Sequence, residues 1–206
     1  MKLYDLGLIG HAAAFKRQKD FVRDVAAGGE DTLILCEHPK TITLGRKYQE
    51  SSLFFSREEL ARKGFELLKA DRGGDVTLHA PGQLVLYPIL DLRRARLGLK
   101  EYLQKLEQVA VDLLDDFGIV ARGDDGNRGV WIACRKIASI GIGVSRWVTY
   151  HGMGLNVSTD LSLFNVIRPC GLDVPMTSLA VERNCPVGMD DVKRRSEQHF
   201  RRIFGY

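Results

Sequence analysis

Apolar residues recur at three- and four-residue steps from Leu99 through Leu103, Leu106, Ala110, Leu113 and Leu114 to Phe117. That spacing gathers them on one face of a helix, and Gly118 supplies the residue that tolerates the turn beyond a helix end. Residues 11–27 predict an earlier helix, closed by Gly28-Gly29. Ser56-Arg57-Glu58-Glu59 is a capping-box pattern, in which the serine caps and Glu59 reaches back to its backbone N–H. A short helix to Lys63 follows, closed by Gly64. Asp190-Asp191 predicts the opening of a terminal helix whose later turns are basic, as the helix dipole favours.

Between these helices lie short runs with an extended pattern, at residues 32–36, 41–44, 65–69, 76–79 and 84–89. More follow at 119–121, 129–134, 136–144 and 147–157. From Val130 to Val157 there is no room for crossover helices, so that part of the sheet is expected to be antiparallel. The succession predicts an α/β domain of the α+β type, with a mixed, largely antiparallel sheet flanked by helices. No repeat or linker divides it, and residues 1–206 read as a single domain.

Composition narrows the class. With 206 residues and 45% hydrophobic content the chain can bury a core without metal or disulfide staples. Cys36, Cys134, Cys170 and Cys185 are far apart and form no C-x-x-C pair, which argues against a zinc ribbon. The opening residues, Met1-Lys2-Leu3-Tyr4-Asp5-Leu6, lack the apolar core of a signal peptide. The longest apolar run, residues 84–92, is too short to cross a membrane. No membrane association is expected, and the cytoplasm is the expected compartment. The net charge of +4 gathers in Arg93-Arg94-Ala95-Arg96, Lys193-Arg194-Arg195 and Arg201-Arg202. Such runs are either solvated faces or a patch for an acidic partner. Aromatics are not interleaved with them, so no nucleic-acid partner is expected.

Three stretches carry candidate chemistry. In Arg72-Gly73-Gly74-Asp75-Val76-Thr77-Leu78-His79-Ala80-Pro81-Gly82-Gln83 the paired glycines allow a sharp turn and close approach to a ligand. The spacing is neither a P-loop nor G-x-G-x-x-G, and a hairpin turn fits as well as a binding loop. In Lys136-Ile137-Ala138-Ser139-Ile140-Gly141-Ile142-Gly143 a lysine opens a small-residue strand. It either snorkels to solvent or points into a pocket floored by small residues. In Ile167-Arg168-Pro169-Cys170-Gly171-Leu172 the thiol sits in a Pro/Gly-bounded turn, whereas the other three cysteines read as small buried hydrophobes.

Five ordered blocks resemble the lipoyl(octanoyl) transferases over nearly the whole chain. They are Arg72-Gly73-Gly74 with Thr77, His79 and Pro81-Gly82-Gln83; Tyr87-Pro88-Ile89 with Asp91-Leu92; Lys136-Ile137-Ala138 with Ile140-Gly141; His151-Gly152 with Leu155-Asn156-Val157; and Pro169-Cys170-Gly171. Gly154 departs from the family, which more often has alanine there. The resemblance implies a biotin/lipoate protein ligase-like fold with an acyl-binding crevice. It implies Cys170 and Lys136 as the catalytic pair, and an acyl pocket built from residues 72–79, 139–141 and 152–154. It implies transfer of an octanoyl group from acyl carrier protein, through a Cys170 thioester, to a lysine of lipoyl domains or the glycine-cleavage H protein. No cofactor or metal is expected. An ATP-dependent lipoate ligase and a non-catalytic acyl-carrier binding module are the rival readings.

Overall fold

The computed structural model describes residues 1–206 except Asp125 and Leu172, and of Cys170 the backbone alone. The elements run β1 (Lys2–Leu8), α1 (His11–Ala26), β2 (Thr32–Glu37), β3 (Thr41–Leu44), α2 (Arg57–Arg62), β4 (Glu66–Lys69), β5 (Val76–His79) and β6 (Gln83–Ile89). They continue with α3 (Leu99–Asp115), β7 (Arg122–Gly123), β8 (Gly129–Ile132), β9 (Arg135–Ser145), β10 (Val148–Asn156), α4 (Leu179–Arg183) and α5 (Met189–Phe204).

Seven strands form one sheet in the order β1-β2-β6-β10-β9-β8-β7, and β4-β3-β5 form a second, smaller one. The large sheet is antiparallel from β2 to β7, with β1 parallel to β2 at its edge. In the small sheet β3 runs parallel to β4, with α2 as the crossover, and antiparallel to β5. The expected mixed, largely antiparallel sheet flanked by helices is thus what the chain forms.

Side-chain alternation gives the large sheet two different faces. Leu33 and Leu35 on β2, and Leu84 and Leu86 on β6, pack with Leu106, Leu113 and Phe200 from α3 and α5. Their neighbours Ile34, Cys36, Val85 and Tyr87 face the other way, toward Ala14, Val22 and Val25 of α1. A third cluster, including Ile42, Leu60, Val76 and Leu78, fills the small sheet's own core.

The capping box of α2 is formed, with Ser56 N–H donating to Glu59 Oε2 at 2.8 Å and Glu59 N–H donating to Ser56 Oγ at 3.2 Å. Two elements escape the sequence pattern. β1 carries Lys2 and Asp5 on an edge strand, where no second buried face imposes apolar alternation. α4 is only five residues long and is defined by its ends, with the Ser178 hydroxyl accepting from the Val181 N–H and Asn184 in the left-handed region. The strand expected at 119–121 forms instead at Arg122–Gly123. Among the described residues no helix is long and apolar enough to cross a membrane.

Candidate active site

The site begins as missing side chains. On the α1 face of the large sheet, Gly152 pairs with Gly141, Gly154 pairs with Ser139, and Gly154 also neighbours Val85 of β6. This leaves a floor of small residues across three strands, while Ile140 and Met153 belong to the cluster on the opposite face. The segment from Arg72 to His79 crosses above that floor. It is pinned by the Gly73 N–H, which donates to the Ile142 carbonyl at 2.9 Å. The approach depends on glycine: a Cβ on Gly141 would sit 3.0 Å from both Arg72 Cδ and the Gly73 oxygen.

Arg72 is buried and serves as a brace. Its Nε and Nη2 donate to Thr43 Oγ1 at 3.1 and 2.9 Å, Nη2 also to the Thr43 carbonyl at 2.7 Å, and Nη1 to the Gly73 carbonyl at 3.0 Å. The guanidinium thereby ties the small sheet to the segment above the floor.

Between floor and cover lies a narrow slot of about 40 Å³, walled by Arg72, Gly73, Gly74, Thr77, His79, Ser139, Ile140, Gly141, Gly152, Met153 and Gly154. Its end beneath α1 is closed by His11, Gln83, Tyr87 and His151, with His79 stacked on His11 and bonded to Gln83 there. His151 has a φ of 56°, rare inside a strand, and its N–H donates to Gln18 Oε1 at 2.7 Å. Its Nε2 lies 2.8 Å from Asp71 Oδ1, and Asp71 also accepts from the Tyr150 hydroxyl at 2.8 Å and from Lys19 at 3.2 Å.

Burial keeps the imidazoles neutral. It pushes His11 down to about 3, helped by His38 and His151, and His151 down to about 4 against the opposing pull of Asp71. His79 is held well below its ordinary value for the same reason, with His38 and His11 adding to it. Burial alone would raise Asp71, yet the hydrogen bonds from His151, Tyr150 and Lys19 hold it at about 2.

The slot opens into a wider groove of about 510 Å³, which shares Gly73, Gly74, Ile140 and Gly141 as walls and adds Lys47, Asp75, Arg128, Lys136 and Gly171. Lys136 is fully buried, so its stem does not snorkel to solvent. Its Nζ donates to the Arg128 carbonyl at 3.0 Å and stands 5.0 Å from the Trp131 ring centroid. Glycine at 129 makes room for it, since a Cβ there would lie 2.7 Å from Lys136 Cε. The Lys136 backbone pairs with the segment 175–177, donating to Pro175 and accepting from Thr177, both at 2.9 Å.

That segment follows the 3-10 turn Pro169–Gly171 closely. The Cys170 side chain, expected as the nucleophile, lies outside the described residues. Its neighbour Gly171 abuts Asp75, whose carboxylate accepts from the Ser52 hydroxyl and, at 3.1 Å, from the Gln49 N–H. Asp75 therefore ties the groove wall to the Gln49–Ser52 stretch beneath the turn.

Most of the residues expected to form an acyl pocket thus converge on slot and groove. Val76 and Leu78 do not, because alternation along β5 turns both into the small sheet's core. His11, Gln83, Val85, Tyr87 and His151 join the slot without having been expected there. A single histidine at a helix start carries no periodic signal, whereas Tyr87 and His151 stood inside the quoted blocks and could have been found through them.

The catalytic domain family of the lipoyl protein ligases A and B matches residues 11–201. A relative from Syntrophobacter fumaroxidans, named octanoyltransferase, is 45% identical over 98% of this chain and 90% of its own length. The chain belongs to the octanoyltransferase family. Family membership makes it an acyltransferase. Its fold is that of more distant ligases. A Thermoplasma acidophilum bi-partite lipoate protein ligase superposes with a TM-score of 0.74 at 16% identity, over 99% of this chain and 83% of the other. The biotin protein ligase of Aquifex aeolicus, bound to biotin and ATP, follows at 0.62 and 12% identity, over 99% and 70%.

Proposed function

We propose that this octanoyltransferase moves an octanoyl group from acyl carrier protein to the target lysine of a lipoyl domain or glycine-cleavage H protein, through a thioester on Cys170. One observation carries the reading: a slot floored by glycines opens directly into the groove that holds Lys136 and Gly171. The alkyl chain occupies the slot and the reacting carbonyl sits at its mouth. At about 40 Å³ the slot is narrower than a loaded chain needs, so loading spreads the Arg72–His79 cover from the sheet.

An ordinary thiol ionises near pH ~8.5, so only a few per cent is thiolate at neutral pH. The Lys136 ammonium favours the anion. Cys170 sulfur attacks the carbonyl carbon of the carrier thioester. The resulting oxyanion finds donors in the glycine turn, where among the described residues neither the Gly74 nor the Asp75 N–H has an acceptor in the protein. Collapse breaks the bond to the pantetheine sulfur, which takes a proton from the Lys136 ammonium and leaves as the thiol, so that octanoyl-Cys170 and a neutral Lys136 amine remain.

The acceptor amine, with an ordinary pKa of about 10.4, loses its proton by way of Lys136. It then attacks the new thioester and displaces the Cys170 thiolate. Thioester for thioester is nearly balanced and thioester to amide runs downhill, so no ATP enters. Burial of the chain contributes roughly 0.8 kcal/mol per methylene. The reaction places the enzyme in the cytoplasm, where acyl carrier protein and the acceptors are made.

Intact-mass measurement after incubation with octanoyl-acyl carrier protein tests this. A hydroxylamine-sensitive octanoyl adduct is expected on the wild type, absent in Cys170→Ser and formed at least about a hundredfold more slowly in Lys136→Ala. An adduct that persists in Cys170→Ser, or transfer that strictly requires ATP, would overturn the reading.

A further inference from the structure

The end of the slot beneath α1 is built from imidazoles and a phenol, and their hydrogen bonds fix where the protons sit. His38 Nδ1 lies 2.6 Å from the Ile9 carbonyl and must donate to it, leaving Nε2 to accept from the Tyr87 hydroxyl at 2.9 Å. Gln83 Nε2 donates to the Leu78 carbonyl and to Asn156 Oδ1, so its Oε1 accepts from His79 Nδ1 at 2.7 Å. His151 Nε2 donates to Asp71.

Three lone pairs remain at this end, on His79 Nε2, His151 Nδ1 and the Tyr87 oxygen, whose own proton is spent on His38. His11 adds a neutral ring within 5.8 Å of His79, centroid to centroid, and 6.3 Å of His151; it brings one N–H and a fourth lone pair, so acceptors outnumber donors four to one. Among the described residues neither nitrogen of His11 has a hydrogen-bond partner in the protein, although the residue is only 5% exposed. The end is therefore polar, short of protons and buried. A methyl group gains nothing there, whereas a hydroxyl supplies the missing donor.

Distance sets which carbon arrives. The slot crosses β9, β10 and β6 at strand spacings that total about 10 Å, close to the reach of an extended octanoyl chain. We propose that His11, His79, Tyr87 and His151 form a polar stop that meters the acyl chain and admits a terminal hydroxyl. The acyl donors then include ω-hydroxyoctanoyl thioesters, while longer unsubstituted chains are rejected because their extra methylenes would press on unsatisfied acceptors. This rests on the octanoyl-transfer reading above.

The test compares octanoyl, decanoyl and ω-hydroxyoctanoyl thioesters of acyl carrier protein, reading the rate of acyl-enzyme formation by intact mass. On the wild type, ω-hydroxyoctanoyl loads within about tenfold of octanoyl and decanoyl falls at least about tenfold behind. His79→Leu and His11→Phe each lower the ratio of ω-hydroxyoctanoyl to octanoyl by about tenfold, whatever their absolute rates. His79→Gln, which offers an amide oxygen as acceptor, keeps the ratio. Decanoyl matching octanoyl, rejection of ω-hydroxyoctanoyl by about a hundredfold, or an unchanged ratio in His79→Leu overturns the stop. The wild-type ratios decide even if a variant does not fold. If octanoyl itself fails to load, the octanoyl-transfer reading falls first; octanoyl loading with flat ratios removes the stop alone.

Discussion

The two faces of the seven-stranded sheet come from the same strands and do opposite work. Toward α3 and α5 the strands present a close-packed aliphatic layer that includes Leu33, Leu35, Leu84, Leu86, Met153 and Leu155. Toward α1 the same strands present Gly141, Gly152 and Gly154 as a bare floor, and Tyr87 and His151 as its polar end. One face gains stability by filling space and the other gains function by leaving it empty. The second face withstands this because the first holds the strands in place, and because Arg72 and Asp71 brace the cover and the polar end from outside.

Filling and emptying the wrong face should have separable effects. Leu113→Ala, deep in the α3 face, is expected to destabilise the fold by about 3 kcal/mol. Melting temperature falls by about 2–4 °C for each kcal/mol in a chain of this size, while the transfer rate per folded molecule stays the same. A rate that collapses in a still-folded variant would break the division. Gly141→Ala does the reverse. Its new methyl presses on Arg72 and Gly73, and a displaced cover is expected to cost about a hundredfold in transfer rate with little change in melting temperature.

The third effect is a matter of pH. His151 and His11 have native pKa values of about 4 and about 3, against 6.5 when unfolded. Between those limits the unfolded chain binds more protons than the native one, so stability rises with pH and is lost as pH falls below 6.5. The slope is at most about 1.4 kcal/mol per pH unit for each imidazole. Asp71, at about 2 against 3.8, contributes above 3.8 and loses its contribution only as pH falls from there toward 2. Melting temperature should therefore drop between pH 7 and pH 5 through the histidines alone. A flat profile across that window would show that the polar end is not held neutral by burial.

The α3 face was the legible one. The run from Leu99 to Phe117, the alternation along β6 and the capping box at Ser56 all repeat a physical period, and periods survive in one dimension. The functional face has none. Paired glycines at 73 and 74 fit a hairpin turn as readily as a cover, and only the family resemblance selected Lys136 and Cys170. Lys136 could equally have snorkelled; burial beside Trp131, in space that Gly129 provides, is a tertiary fact. His11 enters the slot because α1 starts there, which no local pattern announces. Val76 and Leu78 illustrate the converse, since a contiguous motif carried them into the expected pocket and strand alternation took them out.

The order of the strands also bears on how the molecule is made. Its middle strand, β10, lies between β6 and β9, so Gln83 waits for Asn156 and Thr32 for Ile89. Pairings this distant along the chain carry a high loop-closure cost, which predicts folding in milliseconds to seconds rather than microseconds. On the ribosome, β6 emerges with one edge unpaired and keeps it until Asn156 has been synthesised. During that interval the nascent chain exposes an unpaired strand edge that can pair with other chains, and the floor of the slot is among the last parts of the protein to form.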